Sequence, residues 1–179
     1  MNTVTFALLS LILLGAVISF YRRKIFRTPM LRFFFLFLLF QFAYQLGAYL
    51  YSFVWTAHAP NYFIFNLALP INTVYFGLIF HEIIRRPLKR RIIVAGTAAN
   101  LLFYLINLFF LQGFFELMTY SRTVMAATLV GYALLYFHEL LTSEDQDEIN
   151  PMRNVTFWIV TAVFFFYLCS TLTIITWDY

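Results

Sequence analysis

The stretch NYFIFNLALPINTVYFGLIFHEIIRRPLKRR, Asn61–Arg91, decides how the whole chain reads. Positions 62–81 form an almost unbroken apolar run, and Arg85, Arg86, Lys89, Arg90 and Arg91 follow it around Pro87. A hydrocarbon core about 30 Å thick is crossed by about 20 helical residues. Lys and Arg accumulate in the cytoplasmic loops that join such crossings. The stretch therefore reads as a membrane span followed by an inner loop.

The rest of the chain repeats the pattern. Of 179 residues, 63% are hydrophobic and 11% charged, with a mean hydropathy of +0.80. A soluble domain is about 45–50% apolar and about 25% charged, and a chain this short cannot hide the excess inside a globule. Soluble enzymes, nucleic-acid-binding domains and disordered chains are excluded. The fold class expected is all-α: a polytopic transmembrane helix bundle forming a single integral membrane domain over 1–179. Six spans are expected, at about 4–21, 33–55, 62–81, 92–112, 123–141 and 155–176. The runs are continuously apolar rather than alternating, which excludes barrel strands.

Charge sets the orientation. A second basic cluster, Arg22, Arg23, Lys24, Arg27 and Arg32, follows the first span. With both clusters inside, inner loops carry eleven of the twelve Lys and Arg, and Arg122 alone lies outside. Both termini are then outside, with Trp177, Asp178 and Tyr179 at an outer interface. The uncharged start, Met1-Asn2-Thr3, and the placement of arginines after the apolar run fit a retained anchor rather than a signal peptide. Anionic lipid at the basic clusters is an added possibility. The location expected is the plasma membrane, multi-pass, in a bacterium the inner membrane.

No loop is long enough for a catalytic soluble domain, and no phosphate or dinucleotide motif appears. The chain is expected not to be an enzyme and to need no cofactor. Cys169 lies alone in an apolar run and cannot form an intrachain disulfide. The acidic stretch Ser143–Glu148 reads as a solvated loop, as a docking strip for a basic partner or as a weak cation site; its spacing does not match a calcium loop.

Polar residues within spans are costly and are the first place to look for function. Gln41, Tyr44 and Gln45 share a face of span two, and Asn100, Tyr104 and Asn107 share one of span four. Asn72 lies near Pro70 in span three, where a proline kink is expected. These seven residues line a ligand or solute path, or else bond helix to helix. Ala43/Gly47 and Ala48/Ser52 offer small-residue spacing for close helix approach.

One near-repeat stands out. Leu78-Ile79-Phe80-His81-Glu82-Ile83-Ile84 closes span three, and Leu135-Tyr136-Phe137-His138-Glu139-Leu140-Leu141 closes span five. Two His and two Glu at one depth are a conceivable metal site, with His81 and His138 as ligands. Adjacent helical residues point about 100° apart, however, so neither pair chelates well. The alternative is interfacial side chains reaching the headgroups, with Glu82 pairing with Arg85 or Arg86. Gly113–Tyr120 reads as a short outer interfacial segment or a lid.

From Phe137 to Tyr167, an aromatic helix end, an acidic loop, Asn150-Pro151, Phe157-Trp158-Ile159 and an aromatic run follow one another. This resembles uncharacterised bacterial multi-span inner-membrane proteins and the membrane input regions of some multi-span sensor histidine kinases. The resemblance implies a sensor-like or accessory module with its output in a partner protein, and it carries over no catalytic residues. A small transporter or channel for a neutral or zwitterionic solute is the alternative. The partners expected are the lipid bilayer, another cytoplasmic or membrane protein or a second copy, and no nucleic acid.

Overall fold

The computed structural model describes residues 3–26, 29–55, 61–142 and 154–177. The turn at 56–60 with His58, the acidic stretch from Ser143, Asn150-Pro151, and Asp178 and Tyr179 lie outside the described residues. Among the described residues the chain is helical, with no strand. The helices are α1 (Thr3–Arg22), α2 (Pro29–Arg32), α3 (Phe34–Leu50), α4 (Tyr62–Ile83), α5 (Pro87–Ile106), α6 (Thr119–Thr142) and α7 (Val155–Trp177). α3 continues as a wider π-type turn over Tyr51–Trp55, and α5 does so over Asn107–Leu111.

Five stretches are long and apolar enough to cross a membrane: Thr5–Arg22, Phe34–Phe53, Tyr62–Ile83, Pro87–Leu111 and Thr119–Thr142. A shorter apolar stretch, Val155–Thr171, opens α7. By length and composition these helices fit a multi-pass membrane protein.

Two helices start earlier than hydropathy suggests. α5 begins at Pro87 rather than near 92, with Arg86 extended at its N-cap. Proline suits the first helical position, where its missing N–H costs nothing. Lys89, Arg90 and Arg91 are therefore helical residues, not loop residues. α6 begins at Thr119 rather than 123, because Thr119, Ser121 and Arg122 are polar yet helix-compatible.

By packing, the chain divides into two compact units, Met1–Ala68 and Leu69–Tyr179. In the first, α1 packs on α3. Its buried residues include Leu9, Ala16, Ser19, Leu31, Phe37 and Ala48. Phe20 meets Phe35 edge-on at 5.2 Å, and the Asn61 amide donates to the Ala48 carbonyl at 3.0 Å.

In the second unit α6 touches three neighbours. Phe80 of α4 meets Tyr132 at 5.7 Å. Phe137 meets Phe157 and Phe164 of α7 at 6.0 and 5.9 Å. The third neighbour is α5. The buried face of α6 runs Ser121, Met125, Leu129, Tyr132, Tyr136 and Glu139, at steps of three and four that make one helical stripe. Two glycines permit close approach. A Cβ at Gly77 would stand 2.5 Å from Thr97 Oγ1, and one at Gly96 would stand 2.5 Å from the Tyr132 hydroxyl. The connection from α5 to α6 turns at Gly113, whose φ of 78° is the left-handed conformation that ends helices.

Candidate functional site

The polar groups of α5 and α6 meet in one continuous seam. At the end that carries the basic cluster, the Lys89 ammonium donates to the Leu135 carbonyl at 3.2 Å. It lies 3.1 Å from His138 Nδ1 and 3.8 Å from Glu139 Oε2. An ammonium only donates, so in this contact Nδ1 is the acceptor. Glu139 Oε1 accepts the backbone N–H of Arg85 at 2.7 Å. Its Oε2 is buried and finds no hydrogen-bond donor, because 3.8 Å is charge contact beyond hydrogen-bond reach. Lys89 and Glu139 are 8% and 9% exposed, so the pair is an internal one. Around it, Arg90 Nε donates to the Ile84 carbonyl at 2.6 Å and Arg86 Nη2 to the Thr142 carbonyl at 3.4 Å.

Further along, the Tyr132 hydroxyl donates to the Ile93 carbonyl at 2.8 Å and lies 3.1 Å from Thr97 Oγ1. Asn100 Nδ2 donates to Thr128 Oγ1 at 2.7 Å. At the far end Asn107 Nδ2 donates to Ser121 Oγ at 2.7 Å and to Gln112 Oε1 at 3.0 Å. Gln112 Nε2 in turn donates to Thr119 Oγ1 at 2.9 Å, and its Oε1 accepts the Tyr120 N–H at 3.2 Å. The turn that reads from sequence as an interfacial segment or lid is thus clamped at its base, with Met118 fully buried.

The register is constant. From Lys89–Glu139 to Asn100–Thr128, eleven residues forward on α5 match eleven back on α6; the next seven forward, to Asn107, match seven back, to Ser121. Two antiparallel helices locked in this way cannot slide by a turn without breaking several polar contacts together.

The structure brings some of the expected residues together and not others. Asn100 and Asn107 are buried within the seam, bonded to α6. Tyr104 is half-buried. Asn72 of α4 is half-buried, while its neighbour Thr73 back-bonds to the Leu69 carbonyl at 2.9 Å. In the first unit Gln41, Tyr44 and Gln45 are half-buried, and the Gln45 amide donates to the Tyr44 hydroxyl at 3.2 Å. Gly47 has no atom within 4 Å of a notional Cβ, so the Ala43/Gly47 pair is not a close-packing site; Ala48 beside it is buried.

The two histidines have different surroundings. His138 faces Lys89. His81 lines an apolar groove of about 330 Å³ with Gly77, Leu78, Ile93, Val94 and Thr97. Among the described residues no group of three or more His, Cys, Asp or Glu side chains gathers as a metal site would need. The carboxylate that receives the Arg85 N–H is Glu139, from the second His-Glu pair.

Sequence reading missed Lys89, Thr97, Ser121, Thr128 and Tyr132 as partners. A signal existed: Asn100 and Asn107 are seven apart, and so are Ser121 and Thr128. No protein-family model matches the chain, and no curated protein or solved structure matches it either.

Proposed function

We propose that this chain is a non-enzymatic integral membrane module, a sensor-like or accessory subunit acting through a partner protein. In this reading it has six spans with both termini outside and lies in the plasma membrane, in a bacterium the inner membrane. The basic clusters and the 143–153 loop then face the cytoplasm.

The observation that carries the reading is the seam. Its intramembrane amides and hydroxyls bond to one another across α5 and α6, the buried Asn107 Oδ1 excepted, so most of their polarity is spent on fixing a helix pair. The rival reading, transport of a neutral or zwitterionic solute, loses Asn100 and Asn107 from its proposed path. At the basic end, the buried Lys89–Glu139 pair anchors the helix end from which the acidic 143–153 loop departs. A change sensed within the membrane would reach a partner through that anchored end.

The test is purification of the intact chain in mild detergent, with mass spectrometry of what accompanies it. A stoichiometric partner bearing a signalling or catalytic domain, lost when 143–153 is replaced by a neutral linker, is the expected result. Recovery of the chain alone, with solute flux in liposomes that Gln41→Ala and Asn100→Ala abolish, would overturn the reading in favour of transport.

A further inference from the structure

The basic cluster of the first unit has a shape as well as a charge. Arg23, Lys24 and Arg32, with Phe33 and Phe35, line a cleft of about 400 Å³. Two of its cations are held in place. The Arg23 guanidinium lies 4.7 Å over the Phe20 ring, which itself packs against Phe35. Such cation–π contact orients the plane of the guanidinium. Arg32 Nε donates to the carbonyl of buried Phe26 at 3.1 Å. That commits one of its five N–H groups and fixes the head from which the other four extend.

No carboxylate within the unit balances these charges. From Met1 to His81 the sequence contains no Asp or Glu, while Arg22, Arg23, Lys24, Arg27 and Arg32 all fall in that span. Three cations around one cleft, with no acid in the unit, call for an anion. The lining phenylalanines decide which anion. Phe33 is 53% exposed beside the arginines, at the end of the membrane-length stretch Phe34–Phe53. A phosphate in the cleft with an acyl chain along this aromatic surface satisfies both halves of the site. Arginine suits the planar, multidentate recognition of phosphate oxygens.

We infer that the Arg23–Lys24–Arg32 cleft binds the phosphate headgroup of an anionic phospholipid. The site shares no residue with the α5–α6 seam, and its assignment does not depend on the sensor-like reading.

The experiment uses the full chain in phosphatidylcholine nanodiscs doped with phosphatidylglycerol. After extraction into mild detergent, native mass spectrometry reads the enrichment of phosphatidylglycerol over phosphatidylcholine on the protein. Arg23→Gln, Lys24→Gln and Arg32→Gln should each lower that enrichment about five-fold, the effect of one cation beside an anionic surface, and a cleft triple variant combining the three should abolish it. A control triple variant, Arg22→Gln with Arg85→Gln and Arg91→Gln, removes equal charge from exposed positions outside the cleft and should retain the enrichment. Helical circular dichroism of both triple variants checks folding. Equal losses in the cleft and control variants would overturn the site in favour of a diffuse basic field. Displacement of the lipid by soluble glycerol phosphate would overturn the lipid assignment in favour of a free phosphate ester. Undiminished enrichment in the cleft triple variant would dismiss the site altogether.

Discussion

Two helix pairs, α1 with α3 and α5 with α6, use the same apolar alphabet and are held by different physics. The first pair meets through aliphatic and aromatic side chains such as Leu9, Ala16, Phe20, Phe35 and Phe37. The second adds an ion pair and a series of interhelical hydrogen bonds. Within a bilayer, lipid tails are as apolar as leucine, so apolar contact alone gives little preference for one partner or register. Polar groups have no such substitute in hydrocarbon. The difference teaches that, of the two pairs, α5–α6 has a register fixed by the polar contacts described above, while the described contacts of α1 with α3 are packing ones.

The largest expected effect is at the ion pair. Glu139→Ala leaves the Lys89 ammonium buried without its counter-charge and should cost about 3 kcal/mol. The double change Lys89→Met with Glu139→Leu should recover most of that loss. Circular dichroism during titration from mild micelles into SDS reads both. A loss below about 1 kcal/mol would place the pair with weak exposed ion pairs and erase the contrast at that end.

Next come the glycines. Gly77→Ala and Gly96→Ala drive a methyl into Thr97 and into the Tyr132 hydroxyl. Each should cost about 1–3 kcal/mol by overpacking, since Thr97 is short and branched and Tyr132 is held by Ile93. Gly47→Ala in α3 meets open space and should gain up to about 1 kcal/mol from helix propensity. The same titration compares all three, and equal responses would mean that close packing does not distinguish the two units.

The smallest effect sharpens the seam itself. A double-mutant cycle of Asn100→Leu with Thr128→Val should return a coupling of about 0.6 kcal/mol, the usual value of an interhelical hydrogen bond in a membrane protein. Additive single losses would show that these two side chains do not support each other.

Much of the helical layout is legible in the sequence. The ends of α4 and α7 fall within two residues of the apolar runs at 62–81 and 155–176. Hydropathy is blind where a helix begins in polar residues, as at Pro87 and Thr119, because it registers water affinity and not backbone bonding. That blindness hid Lys89, which as a loop residue would be solvated and as a helical residue faces α6. The site was half legible. Asn100 and Asn107 stand out as expensive intramembrane amides, but helical periodicity gives the direction of a side chain and not the helix that meets it. Partner choice followed from close approach at Gly77 and Gly96, whereas the motif-like spacing was at Gly47.

The spacing of the seam has a mechanical consequence. Seven-residue repeats wind a helix pair to the left and eleven-residue repeats wind it to the right. The steps from Lys89 to Asn100 and from Asn100 to Asn107 are one of each, and together they make five whole helical turns. The two tendencies are of opposite hand, and eighteen helical residues rise about 27 Å, close to the depth of the hydrocarbon layer. Tied at both ends and in the middle, the two helices resist sliding along one another over that whole length.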